Sequence, residues 1–220
     1  MSVPRSVRRT MTDTERANPE GRDAYLVVDD DVAFAKVMKR LLSVHGEPTV
    51  THCVEDALAA KPPDGRWTAA FLDFDLPDGN AFSVHEGLLA RGERVPTVII
   101  TGHIREDVAN RAFELGMKLL VKPIGPKHIR IFLETIRGEV AVRQVVEDWR
   151  VRYGLTAAET AVLRAGLEGV DRGTLAESRG ISETTLRTHV RHMLQKLGDA
   201  SVSDAIQRAL REVISSKGGE

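Results

Sequence analysis

Residues 24–137 alternate five times between a short apolar run and an amphipathic segment, and this alternation constrains the fold more than any other feature. The apolar runs are rich in Val, Ile, Leu and Phe and are bounded by breakers, which is typical of strands buried on both faces. The predicted strands cover residues 24–29, 48–52, 68–73, 96–101 and 118–121. The predicted helices cover residues 31–45, 54–61, 80–90, 104–115 and 126–137. This repeat predicts an α/β fold with a five-stranded, doubly wound parallel sheet.

The strand pattern ends after Gly138, and only helical periodicity follows. Residues 138–152 predict a charged helical linker that can continue the preceding helix. Four further helices are predicted at 156–167, 171–179, 182–197 and 201–214, the first with a capping box of Thr156 and Glu159. The predicted organisation is a disordered arm (1–23), an α/β domain (24–137), the linker (138–152) and a small all-α domain (153–220).

Composition and charge exclude several classes of protein. With 42% hydrophobic and 29% charged residues, the chain is neither collagen-like, nor a disulfide scaffold, nor wholly disordered. It has no apolar run of about 18 residues and no apolar N-terminal stretch, so we expect neither a membrane span nor a secretory signal. Cys53 is the single cysteine and has no internal disulfide partner. These features predict a cytoplasmic protein. Because the net charge is −1, any nucleic-acid binding must depend on charges placed along individual helices.

Four of the predicted strands end in residues that carry a charge or a hydroxyl group. They are Asp29 and Asp30 at the end of the first strand, Asp73 at the end of the third with Asp75 just beyond it, Thr101 at the end of the fourth and Lys122 after the fifth. In an open parallel sheet these ends meet at one edge, where ligands bind. Converging carboxylates require a counter-ion, and Mg²⁺ takes oxygen ligands from one or two carboxylates plus phosphate. With Lys122 and Thr101 as donors, the set predicts a site that brings a phosphoryl group to a carboxylate. Asp31 and Asp78 have simpler interpretations, as a helix cap and a turn residue.

The segments YLVVDDD, FLDFDLPDG, VIITG and LLVKP, in this order, resemble the receiver domain of bacterial two-component response regulators. The resemblance covers residues 24–137 and implies a flavodoxin-like fold and a sensor histidine kinase as partner. It implies that Asp73 is the phosphoacceptor and that Thr101 and Lys122 bind the phosphoryl oxygens. It also implies an acidic pair, Asp29 and Asp30, with Asp30, Asp73 and the Asp75 carbonyl binding Mg²⁺ directly. The Lys122–Pro123 bond stands where the family has a cis peptide.

Two alternatives to a phosphorylation switch follow from the same segments. Leu119 stands where the family usually has an aromatic ring whose rotation is coupled to Thr101, so a regulator that binds DNA independently of phosphorylation is one alternative. The other is a haloacid-dehalogenase-like phosphohydrolase, because FLDFDLPDG also resembles the nucleophile strand of that family, with Asp73 as nucleophile. The order of the parts disfavours the hydrolase, since its acidic metal pair follows the lysine, whereas here the pair precedes Asp73.

Residues 171–197 predict a helix, a short turn with Gly180 and a longer helix, which is typical of a helix-turn-helix. The second helix has one apolar stripe, made of Leu186, Val190, Met193, Leu194 and Leu197. Its opposite face carries short polar residues and arginines, which a DNA major groove accommodates. Three basic residues against one acidic residue make this helix locally positive.

The stretch from LTAAETAVLRAGLEG to TLRTHVRHMLQKLG resembles the LuxR-type DNA-binding domain of NarL/FixJ-like regulators. The resemblance implies that the helix at 182–197 reads double-stranded DNA, with Arg187, Thr188 and Arg191 at base edges. Thr184 and Lys196 are interpreted as phosphate or packing contacts. The helix at 201–214 commonly dimerises such domains, so a homodimer is expected in the active state. The chain is thus predicted to be a DNA-binding response regulator, and not an enzyme apart from slow self-dephosphorylation.

Overall fold

The structure of the chain is a computed structural model that describes residues 22–217. It contains two compact units, one that extends to Ile129 and one that begins at Arg130. Of the predicted disordered arm, residues 1–21 lie outside the described part of the chain.

The first unit is built on a parallel sheet. In chain order the strands are β1 (Ala24–Val28), β2 (Glu47–Thr51), β3 (Ala69–Asp73), β4 (Asp75–Leu76), β5 (Gly79–Asn80), β6 (Thr97–Thr101) and β7 (Lys118–Val121). The helices are α1 (Val32–Leu42), α2 (Val54–Ala59), α3 (Ala81–Ala90), α4 (Glu106–Glu114), α5 (Pro126–Arg152), α6 (Ala157–Leu167), α7 (Arg172–Ser178), α8 (Glu183–Leu197) and α9 (Val202–Lys217). Five strands pair in the order β2-β1-β3-β6-β7, and every pairing among them is parallel. The predicted α/β fold is therefore confirmed.

Burial follows the position of each strand in the sheet. The inner strands β1, β3 and β6 are buried almost throughout, whereas the edge strands β2 and β7 contain exposed positions. The apolar residues of the inner strands form a hydrophobic cluster with those of α2, α3 and α4. A one-residue slip of register would move each of these side chains to the opposite face of the sheet. The packing of the cluster therefore fixes the register, and with it the position at which each strand ends.

Helix α1 ends earlier than predicted, at Leu42 and not at residue 45. Gly46, which follows the predicted helix at 31–45, allows two segments of backbone to approach closely. A Cβ atom at Gly46 would lie 2.1 Å from the carbonyl oxygen of Asp23. The neighbouring Glu47 backbone N–H donates to that same oxygen at 2.7 Å. The glycine thus starts the pairing of β2 with β1, which a side chain at this position would obstruct.

The sequence did not predict the short antiparallel hairpin of β4 and β5. Asp78 lies in its turn, and its carboxylate accepts hydrogen bonds from the backbone N–H groups of Val54 at 2.7 Å and Glu55 at 2.9 Å. Asp78 is therefore a turn residue, as predicted, that also satisfies the N-terminus of α2. Asn80, which follows the turn, caps α3 by accepting from the backbone N–H groups of Phe82 and Ser83.

Helix α5 runs without interruption from Pro126 to Arg152, so the predicted linker is its second half. Four buried residues of this half lie in the hydrophobic cluster of the second unit: Ala141, Val145, Val146 and Trp149. The core of the second unit therefore includes residues that the sequence assigned to the linker. The domain boundaries at 137 and 153 stay predictions.

The second unit contains the predicted helices. Helix α6 opens with the predicted capping box of Thr156 and Glu159. Helices α7 and α8 are joined by a turn that contains Gly180. Helix α8 is followed by its C-cap Gly198, a residue in the left-handed conformation. The predicted apolar stripe of α8 faces the hydrophobic cluster of this unit. Within residues 22–217, no helix is both long enough and apolar enough to cross a membrane.

Candidate functional site

Three of the predicted site residues meet at the carboxyl edge of the sheet. The ammonium group of Lys122 donates to Asp73 Oδ1 at 2.6 Å and to Asp29 Oδ2 at 3.0 Å. Asp29 directly follows β1, Asp73 ends β3 and Lys122 directly follows β7. The parallel pairing of the strands thus brings together side chains that lie 49 and 93 positions apart along the chain.

The charges of Asp29, Asp73 and Lys122 depend on one another. Burial raises the pKa of Asp29, and the hydrogen bond and charge of Lys122 offset only part of that rise. Burial lowers the pKa of Lys122, but its bonds to Asp73 and Asp29 outweigh this effect, so its pKa lies above the usual value. Lys122 is therefore a protonated ammonium group that neutralises part of the negative charge of two carboxylates.

Backbone groups complete the surroundings of the two carboxylates. The Asp75 N–H donates to Asp73 Oδ2 at 3.2 Å, and the Asp31 N–H donates to Asp29 Oδ1 at 2.9 Å. Asp31 is also the N-cap of α1, as predicted, because its carboxylate accepts from the N–H groups of Ala33 and Phe34. Each oxygen of Asp73 thus has one donor, and the side chain is fixed with partial access to solvent.

Thr101 lies at the end of β6, beside the strand that leads to Lys122. The Thr101 carbonyl accepts from the Lys122 backbone N–H at 2.8 Å. The Thr101 hydroxyl donates to the His103 carbonyl at 2.9 Å and accepts from the His103 N–H at 3.3 Å. The hydroxyl is therefore bonded to its own loop, and it must exchange the carbonyl of His103 for a phosphoryl oxygen to serve as predicted. The Lys122–Pro123 peptide bond is cis, as the resemblance implies.

Leu119, the predicted switch position, lies on β7 opposite Ile99 of β6. It is half-buried and packs against the hydrophobic cluster of the first unit. The side chain fills space at the place where the family usually has a ring.

The four residues predicted as metal ligands are Asp29, Asp30, Asp73 and Asp75. Among residues 22–217, no group of three or more His, Cys, Asp or Glu side chains is arranged to hold a metal ion. Asp29 is buried against Lys122, whereas Asp30 and Asp75 are exposed. The donors are nevertheless all oxygen atoms, and Mg²⁺ usually keeps several waters and takes only one or two protein carboxylates. The chemistry of Asp30 and Asp73 therefore fits Mg²⁺ without a preformed cluster.

Lys122 has an aromatic neighbour that the sequence did not predict. The Lys122 Nζ atom lies 4.2 Å from the centre of the Phe34 ring, which belongs to α1. In the predicted helix at 31–45, Phe34 is one of the apolar residues at helical spacing, and this spacing predicts no contact with a charged group. No feature of the sequence indicates that an ammonium group 88 positions later packs on its ring, because the contact depends on how α1 lies beside the end of β7.

The second unit presents α8 as its candidate nucleic-acid interface. Thr184, Arg187 and Arg191 are exposed, whereas Thr188 is half-buried and donates its hydroxyl hydrogen to the Thr184 carbonyl at 3.1 Å. Arg187 forms an ion pair with Glu183 at 3.4 Å, and both side chains are largely in solvent. Such a surface pair holds its members weakly, so the Arg187 guanidinium remains available to another partner.

The ammonium group of Lys196, whose side chain is 35% exposed, is bonded within the second unit. It donates to Glu159 Oε2 at 2.7 Å and to the Gly154 carbonyl at 3.0 Å. Burial raises the pKa of Glu159, but hydrogen bonds from Lys196 and Thr156 outweigh this and lower the pKa below the usual value. These contacts favour the packing interpretation of Lys196, because its charge compensates a buried carboxylate. A contact of Lys196 with DNA phosphate stays a prediction.

Comparisons with known proteins match both units. A family model described as the response regulator receiver domain matches residues 25–134, and one described as bacterial regulatory proteins of the luxR family matches residues 154–209. The transcriptional regulatory protein FixJ of Azorhizobium caulinodans is 28% identical over 191 residues, which cover 84% of this chain and 90% of that protein. The DNA-binding transcriptional activator DevR/DosR of Mycobacterium tuberculosis is 26% identical, with 78% of this chain and 87% of that protein covered.

A solved structure of the response regulator StyR has a similar fold. It is 24% identical, covers 87% of this chain and all (100%) of its own, and has a TM-score of 0.51. At this identity the likeness supports the fold alone.

Proposed function

Because the chain belongs to the response regulators that join a receiver domain to a LuxR-type DNA-binding domain, we propose that it carries a phosphoryl group on Asp73 and regulates transcription in response. A receiver domain implies a sensor kinase as partner, and a LuxR-type domain implies DNA binding. The family consists of transcriptional response regulators, and this favours the switch over the phosphohydrolase alternative.

The observation that carries the proposal is the 2.6 Å contact between Lys122 and Asp73. In the transfer, one carboxylate oxygen of Asp73 forms a bond to phosphorus while the bond from phosphorus to the donor's leaving group breaks. The leaving group keeps the bonding electrons and is protonated. The Lys122 ammonium then donates to a phosphoryl oxygen in place of the carboxylate oxygen, and the Thr101 hydroxyl donates to a second phosphoryl oxygen. Hydrolysis of the acyl phosphate by water returns Asp73 to its free form, slowly and without a dedicated base.

Receiver domains generally bind Mg²⁺ at the phosphorylation site. In this chain Asp30 and Asp73 would hold the ion through carboxylate oxygens, and Asp75 through its carbonyl. The bound ion would neutralise charge on the incoming phosphoryl group. We assign Asp29 to Lys122 and not to the metal, because Asp29 is buried and its Oδ2 accepts from that ammonium.

For the output we propose that α8 enters the major groove of DNA. Arg187 and Arg191 are exposed on this helix. The guanidinium group of an arginine donates two parallel hydrogen bonds to guanine, which is the commonest base-specific contact. Thr188 lies between the two arginines, and Thr184, nearer the N-terminus of α8, contacts the DNA backbone. The active form is proposed to be a homodimer that acts in the cytoplasm.

One experiment tests the switch. The wild-type chain and Asp73→Asn are incubated with Mg²⁺ and acetyl phosphate, and the phosphoryl adduct is measured by intact-protein mass spectrometry. We expect an adduct on the wild type and none on the variant, which keeps its shape but lacks the nucleophilic oxygen. Equal labelling of both proteins would contradict the assignment of Asp73.

The same two proteins are then compared in mobility-shift assays on DNA from upstream of their own gene. A phosphodonor is expected to raise the affinity of the wild type by about 1–3 kcal/mol, the usual range of allosteric coupling. Leu119 favours the second candidate, a regulator independent of phosphorylation, because it has no ring to couple to Thr101. Equal binding with and without phosphodonor would support that candidate.

A further inference from the structure

Phe34 belongs to a closed circuit of contacts around the phosphoryl-transfer site. The Asp29 carboxylate accepts from the Asp31 N–H with one oxygen and from Lys122 with the other. The Asp31 carboxylate in turn accepts from the Phe34 N–H at 3.2 Å. The Phe34 ring completes the circuit by lying under the Lys122 ammonium at 4.2 Å. The first turn of α1 therefore forms one wall of the site, and its ring faces the cation.

The three contacts of the Lys122 ammonium differ in how they respond to a change at Asp73. The bonds to Asp73 and Asp29 are directional, and the one to Asp73 must be replaced when a phosphoryl group occupies that carboxylate. The attraction between a cation and the face of a ring tolerates sideways movement, because it depends on the ring quadrupole and not on a lone pair. Phe34 can therefore guide Lys122 while the lysine changes partners.

We propose that Phe34 is a positioning residue for phosphoryl transfer at Asp73, acting through the ammonium group of Lys122. The proposal rests on the proposed function, since it assigns to Phe34 a part in the same reaction. It requires the aromatic face and not only the volume of the side chain. An aliphatic residue at position 34 would fill the same space without attracting the ammonium group of Lys122.

The test compares the wild type with Phe34→Leu, Phe34→Met and Phe34→Tyr. Leucine and methionine keep an apolar side chain without a ring, and tyrosine keeps the ring. The rate of adduct formation on Asp73 is measured with acetyl phosphate and saturating Mg²⁺, and the melting midpoint of each variant is recorded beside it. We expect Phe34→Leu and Phe34→Met to react about threefold to tenfold more slowly, in line with the strength of a partly exposed cation–π contact. Phe34→Tyr should keep a rate close to that of the wild type.

The outcomes separate this inference from the proposed function. If the wild type is labelled and the two aliphatic variants react as fast as it does, the ring has no part in transfer and the proposal is wrong. If all three variants are equally slow, shape alone matters, and the proposal is also wrong. If one aliphatic variant loses its folded transition, the other provides the comparison. If the wild type itself forms no adduct, the proposed function fails, and the role of Phe34 fails with it.

Discussion

Lys196, near the end of α8, places its ammonium 2.7 Å from the carboxylate of Glu159, in the first turn of α6. The Glu159 side chain is 4% exposed and also accepts from the Thr156 backbone N–H. Lys196 thus links α8, the candidate DNA-binding helix, to the capping box of α6. We therefore expect Lys196 to stabilise the second unit.

We expect Lys196→Ala to destabilise the second unit by about 1–3 kcal/mol, because it leaves Glu159 buried without its cation. The cost is below that of a fully buried pair, since the Lys196 side chain is 35% exposed. Thermal or denaturant unfolding measures the change. Arg187→Ala is the matched control, and loss of its exposed ion pair should cost less than about 1 kcal/mol. Equal effects of the two variants would contradict the role given to Lys196.

The same ion pair predicts a dependence on pH. The pKa of Glu159 is lowered in the folded state, so the ionised form stabilises the fold. This stabilisation is complete above the ordinary pKa of a glutamate and is lost as the pH falls through the lower pKa of the folded state. The difference in stability between the wild type and Glu159→Gln should therefore begin to shrink once the pH falls below the ordinary glutamate pKa of about 4.3, and it should continue to shrink at lower pH. A difference that is constant with pH would show that Glu159 acts by shape alone.

We expect Trp149 to be required for the stability of the second unit, although it lies in the predicted linker. It is fully buried, donates from its indole N–H to Glu212 at 2.9 Å and lies 4.3 Å below the Arg208 guanidinium. Trp149→Ala should destabilise this unit by about 3–5 kcal/mol, the usual cost of removing a large buried ring. Calorimetry of the full chain measures the loss, and Val151→Ala, at an exposed position of the same helix, is the control. If both variants unfold like the wild type, residues 138–152 are a linker, as first predicted.

Asp30→Ala should weaken the binding of the Mg²⁺ that labelling requires, without removing the nucleophile. Because Asp30 would supply one of two carboxylates to the ion, we expect the Mg²⁺ concentration for half-maximal labelling by acetyl phosphate to rise at least about tenfold. Asp64→Ala removes an equal charge from an exposed loop that precedes β3, and it should label like the wild type. Normal labelling of Asp30→Ala at low Mg²⁺ would exclude Asp30 as a ligand.

Arg191→Ala tests the reading of DNA by α8. A bidentate contact between arginine and guanine contributes about 1–3 kcal/mol of discrimination, so binding to the specific site should weaken by this amount. Binding to unrelated DNA should change little. Mobility shifts on specific and unrelated duplexes measure both, with Arg143→Ala, an exposed arginine of α5, as control. A parallel loss on both duplexes would mean that Arg191 contacts phosphate.

The sequence alone determined the fold class and the main members of the site. Apolar runs separated by amphipathic segments specify a parallel sheet, and the ends of parallel strands meet at one edge. Asp29, Asp73 and Lys122 could therefore be predicted to lie together, and the structure joins them by hydrogen bonds. The helix-turn-helix was predictable for a similar reason, because helical spacing and a turn glycine are local properties of the chain.

Only the tertiary structure decided what several individual side chains contact. Lys196 reaches Glu159 across 37 positions, Asp78 caps a helix that begins 24 positions earlier, and Phe34 supports an ammonium from another element. The second half of α5 joins the core of the second unit, although its charged surface resembles a linker. The periodicity of a sequence indicates which face of a helix is apolar, but it does not indicate which element packs against that face. These contacts depend on the packing of elements distant in the chain, and packing is a property of the folded molecule.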